Sequence, residues 1–133
     1  MNARDFSPVV LRIGLALVIL WFGLNQVISP DNWTGFLPAW LPTLGLSPQT
    51  HVLLNGSVEI VVSLLLLAGL FTRIAATVGA LHMYAVTLAV GYSAVGVRDF
   101  GLCMGLVALA LYGADFLTLD ARRGKKQEIT KST

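Results

Sequence analysis

Four long apolar stretches limit what this chain of 133 residues can fold into more than any other feature. They run over residues 8–28, 51–71, 74–92 and 100–117. Each is about the length that a helix rising ~1.5 Å per residue needs to cross a ~30 Å hydrocarbon core. Composition agrees: 56% of residues are hydrophobic and only 12% charged, roughly half the charge of a soluble domain, and the mean hydropathy is +0.76. The expected fold is an all-α integral membrane protein, a single four-transmembrane-helix bundle occupying residues 1–133. Arg4 ahead of an apolar run gives the first stretch the look of a secretion signal. Its apolar core is too long for one, and no small-residue cleavage site follows, so it reads as a retained helix.

Charge sets the expected orientation. Arg4 precedes the first stretch, Arg73 lies between the second and third, and the tail carries Arg122, Arg123, Lys125, Lys126 and Lys131. The connection at 29–50 has no basic residue, and the third connection has only Arg98. Both termini are therefore expected on the cytoplasmic side of the cytoplasmic (inner) membrane. The net charge of +2 comes from this tail, which suits a helix end near anionic lipid rather than a nucleic-acid partner. The 29–50 connection holds Pro30, Pro38, Pro42 and Pro48 with Trp33, Phe36 and Trp40. Proline bars a continuous helix there and tryptophan favours the interface, so the segment is expected to cap the outer end of the bundle.

The polar residues inside the spans carry what chemistry there is. A carboxylate at mid-bilayer costs roughly 2.5 kcal/mol even on the lenient insertion scale, which makes Glu59 the conspicuous residue. Counting along the helices puts Asn25 and Asn55 level, about 25 Å above the cytoplasmic edge, with Glu59 one turn below Asn55 on the same face. Arg98 and Asp99 fall at the outer mouth of the fourth helix. The expected ligand-binding cluster is thus Asn25, Asn55, Glu59, Arg98 and Asp99, with Gln26 beside it. Three roles for Glu59 stay open at this point: ionised and paired with Arg98, protonated and hydrogen-bonded to Asn55 or a carbonyl, or lining a ligand site. Asp99 also suits the N-cap of the fourth helix. Arg12 and Asp115 both count to about 6 Å inside the cytoplasmic edge, and are expected to form a structural ion pair.

Other chemistries find little support. One cysteine, Cys103, allows neither a disulfide nor a Cys-x-x-Cys pair within the chain. His51 at the outer end and His82 about 13 Å above the inner edge stand too far apart to share a haem iron. No residue spacing suggests a metal site, and no intrinsic cofactor is expected. The helix-packing spacings Gly101–Gly105 and Ala75–Gly79 favour close helix contact.

"LRIGLALVILWFGLNQ", "NGSVEIVVSLLLLAGLFTRIAA" and "VRDFGL", in this order with the Pro/Trp connection and the short "FTR" turn, resemble the DoxX family of small membrane proteins. The resemblance implies a four-helix bundle in the cytoplasmic membrane. Family members are associated with electron transfer to quinone, or work beside cytosolic redox enzymes. The matching positions are Arg12, Gly14, Gly23, Asn55, Gly56, Glu59, Arg73, Arg98, Asp99 and Gly101. Three functions fit. The first is a quinone-interacting redox subunit with Glu59 as the candidate catalytic residue, its electrons coming from a partner protein. The second is a scaffold subunit in a hetero- or homo-oligomer, and the third a carrier of small molecules.

Overall fold

The structure is a computed structural model, and residues 2–41 and 45–124 are described. Four helices are long and apolar enough to cross a membrane: α1 (Ala3–Ile28), α2 (Pro48–Ala68), α3 (Thr72–Val90) and α4 (Ala94–Tyr112). A 3-10 helix, Pro30–Phe36, follows α1, and there is no strand among the described residues. Lys125, Lys126, Lys131 and Pro42 lie outside the described residues.

Local chemistry marks the helix ends. The Ser47 hydroxyl accepts from Thr50 N (3.2 Å), and Pro48 occupies the first turn, where its missing N–H costs nothing. Gly69 closes α2 in the left-handed conformation (φ 65°), its N–H reaching the last carbonyls of the helix. A side chain at Gly69 would also collide with Thr118, whose Cα lies 2.6 Å from the place of a Cβ.

The fourth helix differs most from expectation. It spans 94–112 rather than 100–117, because Ser93 supplies the cap, accepting from Gly96 N at 3.1 Å. Asp99 is therefore not the N-cap. It lies inside the helix more than a turn from the start. At the other end Gly113 (φ 89°) stops the helix, leaving Asp115 in the segment that follows.

The helices associate as two close pairs. α1 packs mainly on α2 and α3 mainly on α4, while contacts between the pairs are sparse. The α1–α2 crossing is closed by Gly23 and Gly56: a Cβ on either would come within 2.8 Å of the other's carbonyl oxygen. By contrast Gly101, half of an expected packing pair, faces open space. A dry core of Ala16, Ile19, Leu66, Ala76, Leu106 and Leu109 fills the half of the bundle near the chain termini. The half near the 29–41 connection holds a cavity instead.

Arg12 ties the terminal end together. It is buried with Asp115, and its Nε donates to Asp115 Oδ2 at 2.7 Å while Nη2 reaches Oδ1 at 3.3 Å. Nη1 donates to the carbonyls of Leu66 (2.6 Å) and Leu67 (3.2 Å) in the last turn of α2, where carbonyls lack a full set of helical partners. Phe6 and Phe116 meet edge to face beside this pair, 5.3 Å between centroids. Asp120 caps α3 from the following segment, accepting from Phe71 N, Thr72 N and Thr72 Oγ1 at 2.7–2.9 Å. Partial burial pushes the Asp120 carboxyl up, but those hydrogen bonds outweigh it and hold the group below the ordinary carboxylate value.

Candidate functional site

One face of α1 decides what enters the cavity. Arg12, Ala16, Ile19, Gly23 and Gln26 are all buried and follow the three-and-four spacing of a single helical stripe. The Gly23–Gly56 contact brings that stripe against α2, so Gln26 arrives beside Asn55 and Glu59. Asn25, one residue off the stripe, turns away: its Nδ2 donates to Trp21 O at 2.7 Å, and it does not line the cavity. The expectation that Asn25 belongs to the cluster is corrected by this ~100° rotation per residue.

Gln26, Asn55 and Glu59 form a closed hydrogen-bonded group. Gln26 Nε2 donates to Glu59 Oε2 (2.9 Å), and Asn55 Nδ2 donates to Glu59 Oε1 (2.9 Å) and Gln26 Oε1 (2.7 Å). Glu59 is 4% exposed, so a carboxyl in apolar surroundings has both oxygens engaged. Arg98 does not pair with it. The guanidinium holds its neighbour Asp99 instead, Nε to Oδ1 at 2.8 Å and Nη2 to the same oxygen at 2.6 Å. It also lies over the Phe22 ring, 3.9 Å from the centroid, a favourable seat for a cation. Phe22, Trp33 and Phe36 continue as a chain of ring contacts with centroids 5.7–5.8 Å apart. The connection is thereby anchored on the bundle.

Between these groups is a cavity of about 420 Å³. Gln26, Asn55, Glu59, His82 and Asp99 contribute polar atoms low in it. The wall is Val58 of α2 with Ala85, Val86 and Ala89 of α3, and Trp33, Phe36 and Trp40 lie across the connection end. His51 lines the same cavity near its mouth.

His82, whose depth the count gives within a turn, is the residue left out of the expected cluster. With the observed helix ends, Glu59 stands nine residues from Ala68 and His82 ten from Thr72. At ~1.5 Å per residue both lie about 14–15 Å from the α2–α3 turn. They face each other, His82 Nε2 standing 3.8 Å from Glu59 Oε1. The missed signal was the short turn itself, which forces α2 and α3 to run antiparallel with equal counts from their junction. Among the described residues, no group of three or more His, Cys, Asp or Glu could hold a metal ion.

A model of the DoxX family matches residues 7–92, which covers most of α1, all of α2 and α3 and the Gln26–Asn55–Glu59 group but ends before Arg98, Asp99 and Gly101. No curated protein and no solved structure matches the chain.

Proposed function

Because the chain belongs to the DoxX family of membrane proteins, we propose that it is a membrane subunit of a quinone-linked redox system. On this reading the whole chain is one membrane domain, and the cavity around Glu59 takes the ligand's ring. The observation that carries the reading is the cavity's position on the loosely packed α2–α3 seam. A second, wholly apolar hollow lies along the same seam, lined by Val61, Val62, Leu65, Ile74 and Val78, and Val58 borders both. A polar-floored chamber beside an apolar hollow suits a molecule with a hydrogen-bonding ring and a long hydrocarbon tail. The residues fit such a head group: aromatic rings to enclose it, and a cluster of polar side chains on its floor with His51 near the mouth.

Arg4, Arg73, Arg122 and Arg123 gather at the terminal end of the bundle, whereas Arg98 alone lies toward the other. The positive-inside rule then puts both termini in the cytoplasm of a cell whose inner membrane holds the protein, with the cavity in the outer half. Electrons come from a partner redox protein, and this chain binds and orients the ring and exchanges its protons.

The test is binding of a benzoquinone with a decyl chain to the purified protein in lipid nanodiscs, read by quenching of Trp33 and Trp40. Glu59→Gln is expected to weaken binding about tenfold, because one of two engaged oxygens becomes an amide donor facing Gln26 or Asn55. Unchanged quinone affinity and unchanged coupled reduction in the assembled complex would refute the quinone site.

A further inference from the structure

Glu59 is the polar residue that stands out in the sequence, yet its oxygens are taken. Oε2 accepts from Gln26 and Oε1 from Asn55. The unmet hydrogen-bonding capacity of the cavity lies elsewhere. Asp99 is 2% exposed, and Arg98 engages only its Oδ1; the buried Oδ2 has no partner. His82 Nε2 is likewise buried without a hydrogen bond, since Glu59 Oε1 at 3.8 Å is beyond reach of one. Both residues line the same cavity. Buried polar atoms without partners are uncommon, and two in one chamber ask for a group that meets them.

We infer that Asp99 and His82 are the residues that contact the ligand's head, and that the head they select carries a hydroxyl. The inference rests on the quinone-site reading and narrows it. With Asp99 ionised against Arg98, its free oxygen accepts, so the group that meets it donates. A phenolic or hydroquinone O–H donates to Asp99 Oδ2 and still has lone pairs for an Nε2–H of His82. A quinone carbonyl offers lone pairs alone and leaves Asp99 Oδ2 unmet. The site therefore favours the reduced, hydroxyl-bearing form of a tailed ring over the oxidised form. Glu59, locked between Gln26 and Asn55, is a positioning residue that fixes the floor against which the ring rests.

The experiment uses the whole chain in nanodiscs, with three probes at equal mole fraction in the bilayer: decyl-hydroquinone under anaerobic reductant, decyl-benzoquinone, and decyl-difluorobenzene. The last keeps the size but has no hydroxyl. Tryptophan quenching is expected to show hydroquinone binding about tenfold or more tighter than the difluoro analogue, and tighter than the quinone. Asp99→Asn, nearly isosteric, is expected to abolish most of that preference while leaving the difluoro affinity unchanged. The first comparison uses the unsubstituted protein, so misfolding of a variant cannot mask the answer. Equal binding of all three probes, or a full preference retained in Asp99→Asn, overturns the inference and leaves the quinone-site reading standing. Binding of none of them overturns both.

Discussion

Replacing Asp115 by Ala tests how the terminal end of the bundle is held. The change leaves the Arg12 guanidinium buried, with two α2 carbonyls as its partners and no counter-charge. Removing one member of a buried ion pair typically costs ~3–5 kcal/mol. Arg12→Met should cost a similar amount, since it leaves Asp115 without its counter-charge and takes one donor from the carbonyls of Leu66 and Leu67. The double variant removes both charges at once, and what stays lost is the carbonyl contacts of Arg12 and the bond from Leu117 N to Asp115 Oδ1 (2.9 Å), together about 1–3 kcal/mol. It should therefore be more stable than either single variant, although less stable than the unsubstituted chain. SDS-induced unfolding in mixed micelles, followed by circular dichroism, measures all four proteins. Costs of the two single changes that simply add would show that the charges do not depend on each other. A double variant as stable as the original would show that neither the α2 carbonyls nor Leu117 N gain anything from the pair. Either result refutes the reasoning.

Gly56→Ala should destabilise the chain by about 1–3 kcal/mol, because the new methyl would lie 2.8 Å from Gln26 Cβ and from Gly23 O and must push α1 away. The same variant should lose ligand affinity as Gln26 leaves Glu59, which melting and quenching on one preparation will check. Asp120 predicts an acid-sensitive cap. Its carboxyl value is lower in the folded chain than in the unfolded one, so its stabilisation is complete above the unfolded value of ~3.9 and disappears as pH falls through the folded value. Melting temperatures measured from neutral pH down to about pH 3 should fall more steeply for the unsubstituted protein than for Asp120→Asn.

The spans were legible because a helix in lipid has to be apolar along its whole length, so run length locates it. Their ends were less so. Arg98 and Asp99 look like a boundary in a hydropathy reading, but α4 starts at Ala94, and charges one turn inside a helix are tolerable where a cavity and an aromatic ring receive them. The choice between Asn25 and Gln26 needed the orientation of α1. That orientation was present in the stripe from Arg12 through Gly23, but only a buried Arg12 and a close Gly23–Gly56 contact make it the packing stripe. Contacts between elements distant in sequence, such as His82 with Glu59, follow from the α2–α3 turn rather than from any local pattern.

Arg12 also bears on the order in which the bundle is made. Its first acceptors, in α2, lie 54 residues along the chain, and its counter-charge lies 103 residues along. A ribosome inserting this protein delivers the arginine first, the carbonyls next and Asp115 only after α4 has emerged. Until then α1 holds a cation that the bilayer does not welcome, and it can move toward the headgroups rather than commit to the interior. Synthesis of the segment after α4 is thus the step that lets α1 settle, which makes the turns around Asp115 a checkpoint on a helix made long before them.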